Sequence, residues 1–356
     1  MQYPDKYCLQ QASGNAGSNK WCTMKILIGF YYAIGDFISA VPTIRQLSRN
    51  HDVYVATGHQ NKGLIELVAL KGVNYLYFNL FSWRSCLEPL QFARQILLLQ
   101  CDTILVSPHA QDKVASWKIP LLLWLLKGFG SRALVIGPLE DRNRYLYDRV
   151  VPVSKKLPLM QREIEFCRLA GFLPYQEVDL TGIIHHQPVA EQNLIVIHPG
   201  ASKPNKKWLP EYYHTLVTLL TRKGFTILFV GLSKDLQPIR ALIDDSAVTW
   251  FSGTLSEVIQ TILPARLVLT MDSGFSHITS ALGLRHIVLI GSASVDSVRP
   301  IFKNTQVINL PRLACQPCDA HQCAMDRTYC MEIIHPQLVY DHILQRCGID
   351  QATSQN

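Results

Sequence analysis

Three short stretches of this chain carry side chains whose types and spacing suit work on phosphates and hydroxyls. In the first, Gly35-Asp36 closes the loop after the apolar run Ile26–Phe30 and opens a helical stretch. A carboxylate at the C-terminal edge of a strand can take a proton from a hydroxyl. It can equally cap the helix, and Pro42 fits an early helical turn. In the second, His198-Pro199-Gly200-Ala201-Ser202 is followed by Lys203, Lys206, Lys207 and Trp208. A glycine turn with a hydroxyl and several ammonium groups suits a diphosphate; a solvated basic loop is the plainer alternative. In the third, Asp272-Ser273-Gly274 ends the apolar run Leu267–Met271 and starts a helix. Asp272 or Ser273 can cap that helix. Ser273 and the amides after it offer a site for phosphate, and Asp272 can accept bonds from sugar hydroxyls. His277 lies one turn beyond Ser273 on the same face; as a lone histidine it reads as a structural residue or as part of the site.

A fourth cluster is made of thiols, Cys315-x2-Cys318-x4-Cys323-x6-Cys330. Four thiolates at that spacing could hold a tetrahedral zinc ion. Only the first pair has the C-x-x-C form, so a disulfide-capable loop and simple packing of thiols stay open.

The elements that must position these residues follow from periodicity. Short apolar strands are expected at Ile26–Phe30, Val53–Ala56, Tyr75–Phe78, Thr103–Val106 and Ala133–Ile136, with helices at about Asp36–Arg49, Lys62–Leu70, Glu88–Leu99 and Val114–Leu126 between them. That alternation predicts a parallel sheet with helices on both faces. After Gly137 it breaks, and a further helix is expected at about Lys155–Ala170 before a connector rich in Pro and His. A second series starts at Leu194, with strands at Leu194–His198, Thr226–Val230, Val248–Phe251, Leu267–Met271, Ile287–Ile290 and Gln306–Asn309. Its helices are expected at about Pro210–Lys223, Leu236–Asp245, Ser256–Leu263, Ser273–Leu282 and Pro336–Cys347, with Gly283 as a left-handed cap. The chain thus divides into a polar tail at 1–23, expected to be disordered, and two Rossmann-like α/β domains at 24–185 and 186–356.

Composition narrows the function classes. The chain has 356 residues, 48% of them hydrophobic and 17% charged, enough for two packed domains and against wholesale disorder. The net charge of +7 is modest, and the cations form no run of five. That balance suits anionic substrates or an anionic membrane surface rather than nucleic acid. No apolar run reaches the 18 residues of a membrane span. The nearest, Ile119–Leu126, reads as a buried helix or as a face resting on a bilayer. With no secretion signal at the N-terminus, a cytoplasmic enzyme with mostly reduced cysteines is expected.

Taken in order, the motifs resemble those of the lipopolysaccharide heptosyltransferases of glycosyltransferase family 9. The resemblance rests on Gly35, Asp36 and Pro42, on His198–Ser202 with Lys206 and Trp208, on Asp272–His277 with Ala281–Gly283, and on Cys330-Met331. It implies a GT-B fold, two facing Rossmann-like doubly wound domains with a central cleft. The donor would sit mainly on the C-terminal domain and the acceptor on the N-terminal one. It further implies an inverting reaction that needs no metal and no cofactor. The donor would be ADP-heptose and the acceptor a lipid-linked sugar of the lipopolysaccharide core, at the inner face of the inner membrane. By motif position Asp36 would be the general base. Ser202 and Lys206 would meet the diphosphate, Asp272, Ser273 and Gly274 would hold sugar and phosphates, and His277 belongs to the same block. Two departures stand out. Leu209 separates Trp208 from Pro210, which bears on the register of the loop around Lys206, and Gly283-Leu284-Arg285 replaces the usual Gly-x-Pro. A relative using another nucleotide sugar or acceptor, or a nucleotide-binding module without activity, are the alternative readings. A dinucleotide oxidoreductase lacks its G-x-G-x-x-G turn.

Overall fold

The computed structural model describes residues 23–78, 88–109, 118–173, 178–180, 183, 184, 186, 189, 192–244, 246–311, 313–318, 320 and 322–349. Apart from Thr23, the expected tail lies outside them. Two compact units divide the chain, the first carrying residues up to Leu180 except the short segments Glu66–Val68 and Lys155–Met160, which group with the second, whose main body begins at Thr181.

The first unit is built on a parallel sheet of β1 (Lys25–Tyr31), β2 (Asp52–Gly58), β3 (Val73–Phe78), β4 (Thr103–Val106), β5 (Leu134–Pro138) and β6 (Arg149–Val151), in the order β3-β2-β1-β4-β5-β6. Its helices are α1 (Ile34–Leu47), α2 (Lys62–Val68), α3 (Glu88–Leu99), α4 (Lys118–Gly128) and α5 (Leu159–Leu169). β1 and β4 lie at the centre, and their apolar runs are buried almost throughout because helices cover both faces. Strand β6 was not expected. It has three residues, two of them exposed, so no apolar run announces it; pairing with β5 makes it a strand.

The second unit repeats the plan. Strands β7 (Leu194–His198), β8 (Thr226–Val230), β9 (Val248–Phe251), β10 (Leu267–Met271), β11 (His286–Leu289) and β12 (Thr305–Ile308) form a parallel sheet in the order β12-β11-β10-β7-β8-β9. Helices α6 (Pro210–Arg222), α7 (Ser233–Arg240), α8 (Leu255–Ile262), α9 (Gly274–Ala281), α10 (Val295–Val298), α11 (Tyr329–Glu332) and α12 (Pro336–Arg346) flank it. Counted along its own chain, each sheet has the strand order 3-2-1-4-5-6, the doubly wound Rossmann arrangement. Gly283 follows α9 at φ +77, the left-handed stop expected there. The Ile119–Leu126 run is a buried helix with one outward side chain, Trp124, 63% exposed.

Candidate functional site

In a doubly wound sheet the strand order reverses at one place, and the loops leaving the C-terminal ends of the two strands there part to opposite faces. In the second unit that place lies between β7 and β10. The register pairs His198 with Thr270, so the turns Pro199–Ser202 and Met271–Gly274 leave the sheet side by side. Two motifs 70 residues apart in sequence are thereby joined by one strand pairing.

The loop after β7 is pinned from within. Trp208 is buried, its Nε1 donates to Ile334 O at 2.9 Å, and its ring packs edge-on against Tyr212 and Tyr213. Buried Asn205 donates to Ala320 O at 2.8 Å. These anchors hold the loop in which Leu209 separates Trp208 from Pro210. They turn the short 3-10 segment Pro204–Lys206 so that Lys206 forms an ion pair with the buried carboxylate of Asp272. Lys207 pairs with half-buried Asp235 at 2.6 Å, and Ser202 is exposed at the rim.

Ser273 takes the N-cap position of α9 with an extended backbone, φ −153 and ψ 169, but its side chain does not cap the helix. Its Oγ is shut from solvent and makes no hydrogen bond among the described residues. An orphaned buried hydroxyl costs about 1–3 kcal/mol, a cost that a bound ligand removes. At the start of α9 the amides of Gly274 and Phe275 have no intrahelical acceptors, while the Ser276 N–H donates to Ser273 O at 3.1 Å. A hydroxyl, helix N-terminal amides and an ammonium thus lie at one edge, an arrangement that can bind an anion.

The His198 ring stacks on Phe275, centroids 4.4 Å apart and planes 19° from parallel, tying the end of β7 to the first turn of α9. Burial pushes its pKa down to about 4 against the opposing pull of Asp235, so the imidazole is neutral near pH 7 and acts as a wall. His277 is buried in α9, close to His286. The His286 ring bridges Thr270 Oγ1 at 2.8 Å and Thr305 Oγ1 at 3.1 Å. Burial, with His277 and Arg346 nearby, pushes its pKa down to about 3.

The switch point of the first unit lies between β1 and β4. β1 ends in a bulge against β2 between Gly29 and Tyr31, with Phe30 at φ +73. Such strain is found where a turn has been set for a purpose. Asp36 lies in the first turn of α1, which begins at Ile34, and Asp36 Oδ2 accepts the Ala33 N–H at 3.2 Å. Asp36 is 9% exposed. The capping reading is therefore met in part: Asp36 serves the helix start from inside the first turn, and that bond also fixes the direction of its carboxylate.

Sequence reasoning passed over a neighbouring cluster. Glu163 on α5 is fully buried and accepts hydrogen bonds from Tyr31 Oη at 2.5 Å and Ser107 Oγ at 2.8 Å, with His109 Nε2 at 3.4 Å. Its signal was present: an acid at helical spacing with Phe166, Cys167 and Ala170, on the face α5 buries. A second feature is a cavity of roughly 200 Å³ lined in part by His59, Tyr77, Gln91, Gln95 and Lys118. His59 and Tyr77 stack there at 5.3 Å.

Cys315, Cys318, Cys323 and Cys330 are free thiols. No group of three or more His, Cys, Asp or Glu among the described residues is arranged to hold a metal ion, so the zinc alternative finds no ligand set there.

Comparison with known proteins bears on both units. A family model described as glycosyltransferase family 9 (heptosyltransferase) matches residues 149–329, which hold the Ser202–Lys206 and Asp272–His277 stretches but not Asp36. The lipopolysaccharide heptosyltransferase 2 of Salmonella typhimurium is 28% identical over 130 residues, 34% of this chain and 37% of its own length. The chain thus aligns with little more than a third of that relative. Among solved structures, E. coli ADP-heptose lps heptosyltransferase II matches with TM-score 0.67 at 19% identity, covering 91% of this chain and 98% of that one. E. coli heptosyltransferase WaaC with ADP matches with TM-score 0.69 at 18% identity, covering 91% and 100%. At these identities the superpositions establish the fold: two doubly wound parallel sheets that match those of heptosyltransferases of GT-B fold, as the resemblance implied.

Proposed function

Because the chain belongs to glycosyltransferase family 9 (heptosyltransferase), we propose that it transfers heptose from ADP-heptose to a sugar of the lipopolysaccharide core, inverting the anomeric centre and using no metal. The observation that carries this reading is the anion site of the second unit: buried Ser273 Oγ without a hydrogen bond among the described residues, beside the Lys206–Asp272 pair and the start of α9. The solved relative named as holding ADP has the same fold.

In this mechanism the acceptor hydroxyl oxygen attacks the anomeric carbon. The bond from that carbon to the diphosphate oxygen breaks, and ADP departs with the electron pair. Lys206 and the amides of α9 stabilise the charge growing on the leaving phosphate. Asp36 takes the hydroxyl proton as attack proceeds. Ser202 reaches the diphosphate from the rim, Asp272 and Gly274 border sugar and phosphate, and His277 supports α9 from below. One displacement with one base gives inversion. The acceptor belongs to the first unit, where the stacked His59 and Tyr77, the Gln91 and Gln95 amides and Lys118 offer an aromatic platform and polar partners for a sugar. No helix among the described residues is long and apolar enough to cross a membrane. We place the protein on the inner face of the inner membrane, where exposed Trp124 and Phe129 could meet a lipid-linked acceptor.

The test is transfer of heptose from ADP-heptose to a heptose-deficient core acceptor, with product identified by mass. Thermal shift with ADP, UDP, GDP and CDP runs beside it. Stabilisation by ADP alone supports the donor. Stabilisation by another diphosphate in its place would move the assignment to a different nucleotide sugar, and ADP binding without any product would favour a binding module.

A further inference from the structure

The buried acid Glu163 is unused by this mechanism. It lies in the same unit as Asp36, at the same switch point, and its ligands come from the elements that frame that base. Tyr31 ends β1, and Ser107 and His109 follow β4. Both hydroxyls donate to the carboxylate. Tyr31 also packs edge-on against Phe37, ring centroids 6.4 Å apart, and Phe37 is the residue after Asp36. A change at Glu163 is therefore passed through one phenol ring to the first turn of α1. The charged or titratable groups facing Glu163 are Tyr31 from β1, Asp36 from α1, His109 after β4, and Arg162 and Cys167 from α5 itself.

We propose that Glu163 is a positioning residue for Asp36, holding the turn between β1 and α1 from beneath through Tyr31 and Ser107 in a manner that depends on its own protonation. The inference rests on Asp36 being the base. Ionised, Glu163 accepts from both hydroxyls, as the structure shows. Protonated, it must give up one of those bonds or reverse it, because a neutral acid keeps one oxygen as a donor. Burial, with the charge of Asp36 adding to it, raises the Glu163 pKa to about 7, while the Tyr31 and Ser107 donors favour the ionised form. The exchange between the two arrangements thus falls near neutral pH.

The test is the pH profile of kcat for sugar transfer in the wild type, Glu163→Gln, Ser107→Ala and Asp36→Asn. We expect the wild-type kcat to rise about three- to tenfold from pH 6 to pH 8, the scale of a slightly misplaced group rather than a missing one. Glu163→Gln keeps the shape of the protonated acid, so its profile should lack that rise and stay at the low-pH level, with the donor KM unchanged. Ser107→Ala removes a donor that favours ionisation and should move the inflection to higher pH. A readout independent of transfer is the melting temperature of wild type and Glu163→Gln against pH. A purely packing role predicts a constant difference, and titration of Glu163 predicts one that changes between pH 5 and pH 8. Coincident kcat profiles for wild type and Glu163→Gln, with Asp36→Asn inactive, would overturn the role of Glu163 and leave the base standing. An Asp36→Asn protein with wild-type turnover would overturn the base, and the positioning role with it.

Discussion

At the scale of single residues, the site is a set of charges and hydroxyls whose partners decide what each can do. Asp36 accepts the Ala33 N–H on Oδ2 at 3.2 Å, and its proposed role is to take the proton of an acceptor hydroxyl. Asp36→Asn preserves shape and removes basicity, so turnover should fall roughly 10²–10⁴-fold with donor affinity unchanged, read by steady-state transfer and ADP calorimetry. Lys206 balances Asp272, and in the proposed function it also meets a phosphate of the donor. Lys206→Met should weaken ADP binding about 10- to 100-fold in calorimetry, the worth of one charge-assisted hydrogen bond. The same change strands a buried carboxylate, so the melting temperature should fall as well. For Glu163 the sign of the pH effect is fixed by the direction of its shift. A carboxyl raised from 4.5 to about 7 binds its proton more tightly in the folded chain. Its contribution to stability is fully present below pH 4.5 and is lost as pH rises through about 7. That loss comes to about 3 kcal/mol by pH 8. Glu163→Gln escapes it, so its stability relative to wild type should grow from pH 5 to pH 8.

At the scale of elements, strand ends and helix starts do the positioning. The bulge at the end of β1 puts Gly29 at φ +135, and a Cβ built there would lie 2.4 Å from the backbone oxygen of Ala56 on β2. No side chain can move aside to admit it. Gly29→Ala should therefore cost about 2 kcal/mol or more, seen as an earlier urea midpoint, and should lower turnover by displacing the turn that carries Asp36. Most elements were legible beforehand. β4, β7, β8, β9, β10 and α3 fall on the expected residues because buried parallel strands and a well-patterned helix declare themselves by apolar runs. β6 was not legible, since its pattern is two exposed residues and one buried. The cap at Ser273 was not met. Residue type proposes a capping hydroxyl, and the backbone there has the extended form usual for a cap, but the side chain makes no cap hydrogen bond.

At the scale of the whole molecule, the same topology is used twice, and the marked residues of each half fall at its own switch point. An excess of 34 basic over 27 acidic residues gives a mild attraction to anionic surfaces. On the first unit Trp124 and Phe129, 63% and 62% exposed, add an apolar contribution at α4 and just beyond it. We expect salt-sensitive co-sedimentation with vesicles rich in anionic lipid. Trp124→Ser with Phe129→Ser should reduce that binding severalfold without changing the affinity for ADP. Equal binding by the double variant would remove this face from consideration.

The sequence by itself determined the α/β class and the two βαβ series, and it marked the residues proposed for the anion site, because each depends on spacing within a few neighbours. Apolar runs, turn glycines and hydroxyl-rich helix starts are local signals. Only the tertiary structure decided that Lys206 meets Asp272, that Ser273 Oγ is left without a partner among the described residues, and that Glu163 lies beneath the turn of Asp36. Those facts depend on strand order and register, which bring residues dozens of positions apart into contact. Periodicity within one element carries no record of which strand will lie beside it.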